Sequence, residues 1–311
     1  MTIIQFTYLF KRELQAARRN RGIMLTIIVM PVLLWSFQIV LPLMRLGIVN
    51  SIESTSYELE TRNEDINPSD ISMDLGLPAM MAIILTFLSI IPYIASSIAG
   101  ERENRTMESL LSLPISRLKI LLAKFAAGTV LGTLSLSINL ICLILYFHVT
   151  NEIIAPANNW YSIAFTIDLN LTLLSSISLT LFLCTLLNLG IGISIASLAK
   201  SAEVSRQLFS LLILPMMLFI ASTMFTGLPE ILSVKMGSPL PLILYLIPWM
   251  HAIAIFQKTL IPSYFSTNNF CLNPLGNVGI DVFFHLLFIC ISLALVMWVS
   301  AKNFEREGLV S

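Results

Sequence analysis

Six long apolar runs constrain the fold of this chain more than any other feature of its sequence. The hydrocarbon core of a bilayer is about 30 Å thick, and a helix needs about 20 apolar residues to cross it. A spanning segment must also pair its own backbone polar groups, as a helix does. The sequence therefore predicts an all-α, polytopic membrane protein with six transmembrane helices. The predicted spans are Gly22 to Met44, Leu77 to Ala99, Ile120 to Phe147, Leu171 to Ala199, Leu208 to Gly227 and Asp281 to Ala301.

The composition agrees with a lipid environment. Hydrophobic residues make up 56% of the 311 residues and charged residues only 12%, with a mean hydropathy of +0.86. In soluble domains about a quarter of all residues are charged. The charged fraction of this chain is therefore about half of what a water-exposed surface requires. We expect a single membrane domain over residues 1–311, in contact with the lipid bilayer.

Lysine and arginine are distributed unevenly between the two sides of a six-span arrangement. Fourteen of the 18 lie on the side that holds both chain ends. Cytoplasmic loops carry the excess of basic residues, so we expect an inner (cell) membrane protein with both termini in the cytoplasm. A seventh apolar stretch, residues 239–262, contains four prolines, and a full span there would move Lys302 and Arg306 outside. We therefore predict a re-entrant segment in the outer leaflet, with a full span as the alternative.

The first 21 residues predict an amphipathic helix at the cytoplasmic interface. Ile3, Phe6, Phe10 and Leu14 recur at three- and four-residue spacing, and basic residues follow them. Such a helix places its apolar face among acyl chains and its cations among headgroups. The pattern fits a plain membrane anchor as well as a helix that also contacts a partner protein.

Residues 100–118, the cytoplasmic segment, are the most informative polar part of the sequence. Met107, Leu110 and Leu111 fall on one helical face, and the proline at position 114 ends the helix. One short amphipathic helix of this kind suits docking, because apolar side chains fill a groove and charges set the register. A helix that lies on the membrane surface explains the pattern equally well. The candidate partner-binding residues are Glu101, Arg102, Glu103, Arg105, Met107, Glu108, Leu110, Leu111 and Pro114.

Polar residues inside the predicted spans are the other candidates. Three of them are uncharged, and these are Gln38, Asn139 and Asn188. They can hydrogen-bond between helices, or they can line a translocation path. Asp281 and His285 lie one helical turn apart at the outer start of the last span and form a possible pair. Lys124 lies near the inner end of its span, where we expect its ammonium to reach the interface.

Motifs of catalysis are absent from the sequence. It contains no G-x-x-x-x-G-K-[ST] loop to bind the phosphates of ATP. H-E-x-x-H is also absent, and His148, His251 and His285 occur at no metal-ligand spacing. We therefore expect no catalytic site, metal or cofactor in this chain, and no nucleic-acid partner. Energy for transport would come from another chain or from an ion gradient.

Several strings resemble the permeases of type-2 ABC transporters. E-R-E-x-x-T-M-E-x-L-L-x-x-P-I-S-R, which begins at Glu101 and is followed by Lys124, resembles the coupling-helix region of that family. The string F-K-R-E from Phe10 looks like the family's interfacial helix. I-P-W-M-H-A-I from Ile247 is similar to its outer re-entrant region, and N-F-E-R-E from Asn303 resembles its C-terminal signature. These strings extend over almost the whole chain.

The resemblance implies a six-span permease, nearest to the sodium- and drug-efflux permeases, that pairs with a second permease, identical or related. A separate ABC ATPase subunit would hold Glu101 to Pro114 in a cleft and drive the export of an ion, drug, lipid or peptide. Two alternatives are a secondary transporter without an ATPase and a non-transporting anchor that docks a cytoplasmic partner. The lack of inverted repeats and of charges at the midplane counts against a secondary transporter.

Overall fold

The computed structural model of the chain describes residues 3–53, 81–86, 88–112, 115–149, 171–211, 247–260 and 278–306. These residues are 94% helical and contain no strand. The prediction of an all-α fold is therefore confirmed for the part of the chain that is described.

Nine helical elements follow one another along the described ranges. They are α1 Ile3–Arg19, α2 Arg21–Glu53, α3 Met81–Glu103, α4 Thr106–Leu111, α5 Arg117–Val149, α6 Leu171–Leu198, α7 (residues 202–211), α8 Pro248–Leu260 and α9 Val278–Arg306. Helix α3 changes to π-helical geometry over Ala95–Gly100 before its last turn, Glu101–Glu103.

Five of these helices are long and apolar enough to cross a membrane, namely α2, α3, α5, α6 and α9. They coincide with five of the six predicted spans. The remaining prediction, Leu208 to Gly227, lies outside the described residues beyond position 211. The chain is thus a multi-pass membrane protein.

Buried side chains form two clusters stacked along the bundle, and each of the five long helices contributes to both. The α1 cluster includes Leu9, Met107 and Phe304. The α8 cluster includes Trp35 and Ile255. Helices α1 and α4 therefore lie at one end of the bundle, and α8 lies towards the other end.

Helices α6 and α9 run in the same direction. Ser300 Oγ on α9 lies 3.1 Å from the carbonyl oxygen of Gly190 on α6, to which it donates, and it also contacts Ser194 Oγ. On each helix the earlier residue (Ile177 or Ile289) lies in the α8 cluster and the later residue (Ile193 or Phe304) lies in the α1 cluster, so both helices end on the side of the α1 cluster. The last described turn of α9 and helix α1 lie at the same end of the bundle, as the six-span prediction requires.

The apolar face of α1 packs against the chain's own bundle. Leu9 is buried in the α1 cluster, and Phe6, Phe10 and Leu14 pack against that cluster. The opposite face is polar and exposed, as at Lys11. This corrects the expectation that the apolar face lies among acyl chains, because helix α5 supplies an apolar surface that the sequence pattern alone did not reveal. Whether α1 lies at the membrane interface stays a prediction.

A glycine on α5 allows three helices to meet beside the cytoplasmic segment. A Cβ atom at Gly128 would lie 2.5 Å from Leu189 Cδ1 on α6 and 2.9 Å from Tyr93 Cε1 on α3. Real Cβ atoms do not approach other carbons so closely. The missing side chain therefore brings α3 and α6 against α5 one turn after Lys124.

Helix α8 is 13 residues long, which corresponds to about 20 Å. This is shorter than the roughly 30 Å of a hydrocarbon core, so the described helix does not cross a membrane by itself. Its side chains pack in the α8 cluster, away from α1. The rest of the predicted re-entrant segment, residues 239–246 and 261–262, lies outside the described residues.

Candidate functional site

A buried lysine joins three elements at the α1 end of the bundle. The Lys124 side chain on α5 is 1% exposed, and its Nζ lies 3.0 Å from Glu13 Oε1 on α1 and 2.8 Å from Glu101 Oε2 on α3. Nζ also donates a hydrogen bond of 2.5 Å to the carbonyl oxygen of Ser97, inside the π-helical turn. The expectation that this ammonium reaches the membrane interface is wrong, because it is bound inside the protein.

The charges around Lys124 compensate one another. Arg12 Nη2 lies 3.5 Å from Glu101 Oε1, so two cations face two carboxylates. The contact between Lys124 and Glu101 is an ion pair without the alignment of a hydrogen bond. A buried charge is costly unless it is paired and hydrogen-bonded. Lys124 satisfies that condition through its hydrogen bonds to Glu13 and to the Ser97 carbonyl oxygen, whereas Glu101 Oε2 is paired by charge alone, and these contacts draw α1, α3 and α5 together.

The Glu13 carboxyl has an altered proton affinity. Its burial raises the pKa of Glu13 above the ordinary value, although the Lys124 ammonium lowers this pKa in part. The nearby Glu101 carboxylate acts in the same direction as burial. Burial therefore disfavours the ionised form of Glu13.

Two residues of the cytoplasmic segment fasten α3 to the helices that follow α5. The Arg102 guanidinium donates from Nη1 to the Ala199 carbonyl at 2.6 Å and from Nη2 to the Ser197 carbonyl at 2.9 Å. These are carbonyls at the C-terminal end of α6, which have no helical partner and favour a cation. Glu103 Oε2 accepts a bond of 3.0 Å from the backbone N–H of Ala202, at the start of α7. The carboxylate thereby caps that helix.

The cytoplasmic segment turns sharply between α3 and α4, so the predicted single helix is in fact interrupted. Asn104 Nδ2 donates to the Gly100 carbonyl at 2.8 Å, and Thr106 Oγ1 donates to the Glu101 carbonyl at 3.1 Å. Arg105 has a φ of 57°, in the left-handed region that non-glycine residues rarely occupy. Strained conformations of this kind concentrate at functional sites.

The turn forms an exposed tip, which consists of Glu103, Asn104, Arg105 and Thr106. The apolar side of α4, in contrast, faces the chain's own bundle: Met107 is 6% exposed and Leu110 is 2% exposed, both in the α1 cluster. The described surface of the tip is thus polar, and the buried side chains of Met107 and Leu110 fix its position.

The structure brings together at one end of the bundle five of the predicted partner-binding residues, which are Glu101, Arg102, Glu103, Met107 and Leu110. Arg105 lies exposed beside them. Glu108 and Leu111 belong to α4, but their side chains are outside the description, as is all of Pro114.

Sequence reasoning missed the network around Lys124. Glu13 falls between Leu9 and Ala17 at four-residue spacing, so it lies on the buried face of α1. A carboxylate on an apolar helical face requires a partner. Lys124, a lysine near the start of an apolar span, was the matching indication of a buried ion pair with Glu13.

Two of the three polar residues predicted inside spans bind tryptophans. Trp35 Nε1 donates to Asn139 Oδ1 at 3.0 Å and joins α2 to α5. Trp249 Nε1 donates to Asn188 Oδ1 at 2.8 Å and joins α8 to α6. Gln38 is half-buried on α2. The asparagine contacts fit the role of hydrogen bonds between helices, and a role in a translocation path stays a prediction.

The arrangement at Lys124 is suited to holding helices in place. The ammonium of Lys124 donates hydrogen bonds to Glu13 Oε1 and to the Ser97 carbonyl oxygen, and it forms an ion pair with Glu101. Among the residues that the structure describes, no three His, Cys, Asp or Glu side chains lie close enough together to bind a metal ion. The site thus combines a rigid polar junction with an exposed charged tip.

Comparison with known proteins agrees with this architecture. The family model described as ABC-2 family transporter protein matches residues 7–309. A search among curated proteins found no significant match. Membrane components of this family are not enzymes themselves, and ATPase activity lies in separate subunits. Because the match extends over nearly the whole chain and confirms the resemblance to type-2 ABC permeases, the chain belongs to the ABC-2 transporter family.

Proposed function

We propose that this chain is the permease subunit of an ABC exporter and that a separate ABC ATPase subunit docks on the exposed tip. The observation that carries the proposal is the contrast between the tip and its base. The tip is charged and exposed, whereas the residues on both sides of it are fixed by buried contacts. A docking element must be accessible to its partner and rigid towards its own chain in order to transmit movement.

The buried contacts suggest how movement would pass into the membrane. Arg102 links the base of the tip to the end of α6, and Glu101 links it through Lys124 to α5 and α1. A displacement of the tip by the ATPase would pull on these three helices together. Charged contacts at the tip itself would set the register of docking.

Helix α1 extends the proposed docking surface. Its polar face is exposed, for example at Lys11 and Gln15. Its buried face is tied to the cytoplasmic segment because Arg12 and Glu13 enter the network with Glu101 and Lys124. Between the two interpretations of α1, this connection favours a helix that contributes to partner binding.

The proposed topology has six spans, a re-entrant segment over residues 239–262 and both termini in the cytoplasm. The membrane is the inner (cell) membrane. The parallel direction of α6 and α9 supports this topology, as do the basic residues at the α1 end of the bundle. The length of α8 supports a segment that enters the membrane without crossing it. A second permease, identical or related, would complete the translocation path, and the resemblance to sodium- and drug-efflux permeases supports export.

Co-purification tests the docking proposal. Arg105→Glu reverses the charge at the tip, and Lys302→Glu makes the same change on α9 as a matched control at the same end of the bundle. We expect the affinity-purified wild-type complex and the Lys302→Glu complex to contain a stoichiometric ATPase and to hydrolyse ATP. Arg105→Glu should lose at least half of the ATPase while its membrane insertion is unchanged. Equal amounts of ATPase in all three preparations would refute docking at the tip.

A further inference from the structure

Two histidines form a buried pair far from the cytoplasmic segment. His251 on α8 and His285 on α9 are both 0% exposed, and their Nδ1 atoms lie 2.8 Å apart. The His251 ring stacks on Phe288, with 4.0 Å between ring centroids and 16° between planes. This pair differs from the predicted pairing of His285 with Asp281, whose side chain is outside the description.

The geometry limits how many protons the pair can hold. A hydrogen bond between two Nδ1 atoms contains one proton, so one ring donates and the other accepts, with its own proton on Nε2. An additional proton can bind Nε2 of the donor ring without disturbing the bond. The bond then becomes charge-assisted and stronger. Two additional protons would place hydrogens on both Nδ1 atoms and break it.

We propose that His251 and His285 form a one-proton site that ties α8 to α9 more firmly when the proton is bound. The proposal is independent of ATPase docking, because the pair lies in the α8 half of the bundle. Helix α8 packs on α9 and α6, so uptake of the proton sets how firmly this short helix is held on the last span.

Within the described helices α6, α8 and α9, the sequence gives the following titratable and charged residues. Helix α6 contains no acidic, basic or histidine residue, and Cys184 is its only thiol. Helix α9 contributes Asp281 one turn before His285, with Lys302, Glu305 and Arg306 at its far end. On α8 itself, Lys258 follows His251 by two turns. The hydrogen bond from Trp249 to Asn188, which also joins α8 to α6, does not titrate.

Hydrogen exchange of α8 tests the proposal in protein embedded in lipid nanodiscs. Exchange of peptides within 248–260 is measured between pH 8 and pH 5.5 and corrected for the intrinsic pH dependence. A charge-assisted hydrogen bond exceeds a neutral one by an amount that corresponds to about a fivefold change in opening equilibrium. We expect α8 of the wild type to become about fivefold more protected at the acidic end.

Two variants make the test specific. His148→Gln removes the third histidine of the chain, which is exposed at the end of α5, and should keep the wild-type profile. His251→Gln/His285→Gln retains amide groups that can hydrogen-bond but cannot titrate, and should give a flat profile. A flat wild-type profile, or an acid-induced protection that persists in the double variant or disappears in His148→Gln, would overturn the proposal.

Discussion

Replacement of Lys124 by methionine should destabilise the protein more than any other single change in the network. Methionine retains much of the length of the side chain but leaves the Glu13 and Glu101 carboxylates without the ammonium that lies 3.0 and 2.8 Å from them. Removal of one partner from a buried ion pair costs about 3 to 5 kcal/mol. Glu101 keeps Arg12 as a neighbour, so we expect about 3 kcal/mol, the lower end of that range.

The assay is thermal unfolding of the purified protein, followed with a thiol-reactive dye whose signal rises above the background from Cys142 and Cys290 when the buried Cys184 becomes exposed. A loss of this size corresponds to a fall in Tm on the order of 5 to 10 °C. Lys119→Met, the same change at a half-buried lysine on α5, is the matched control and should shift Tm by less than 2 °C, on the order of an ordinary surface change.

A second substitution separates the ion pair from simple packing. Glu13→Gln should shift Tm by less than half as much as Lys124→Met, because burial already disfavours the Glu13 carboxylate. Combined with Lys124→Met, it should restore part of the lost stability by removing one unpaired charge. Two results would show that these charges do not hold α1 to the bundle. The first is a Tm of Lys124→Met equal to that of the wild type, and the second is a double variant that is less stable than Lys124→Met alone.

Two further predictions concern packing and pH. Gly128→Ala should lower Tm by several degrees, because its Cβ would lie 2.5 Å from Leu189 Cδ1 and 2.9 Å from Tyr93 Cε1. Gly100→Ala is the control and should leave Tm unchanged or raise it, because its Cβ would meet nothing closer than 3.8 Å. Equal shifts of Tm in the two variants would contradict close packing at α5. For Glu13, a pKa raised above 4.5 in the folded state means that the cost of its charge is present above the folded-state pKa and is relieved as the pH falls towards 4.5. The stability of the wild type relative to Glu13→Gln should therefore rise on acidification, and a pH series of unfolding curves for the two proteins checks the sign.

The long helices were predictable because the length and the apolar character of a spanning helix can be read directly from its consecutive residues. The cytoplasmic segment was recognisable for a similar reason, since its charges interrupt two apolar runs. The turn at Arg105 was not predictable, because a proline at position 114 is the only evident helix breaker, and arginine gives no signal for a left-handed conformation.

Contacts between distant elements explain the remaining differences. The periodicity of Met107 and Leu110 indicated an apolar face correctly, but it did not say whether a partner or the chain itself covers that face. Lys124 was expected at the interface because its position along α5 is close to the end of the span. Its burial depends on Glu13, more than a hundred residues earlier in the chain, and only the fold brings the two together.

The π-helical turn at Ala95–Gly100 makes the direction of the tip depend on the number of residues before it. A π turn holds one residue more than an α turn, and each residue of an α-helix rotates the chain by about 100°. If the same residues adopted α geometry with none removed, the chain after them would turn by about 100°, and Arg102 and Glu103 would point away from the ends of α6 and α7 that they now contact. The wide turn therefore absorbs one residue that a regular helix would convert into rotation, and this sets the direction of the tip.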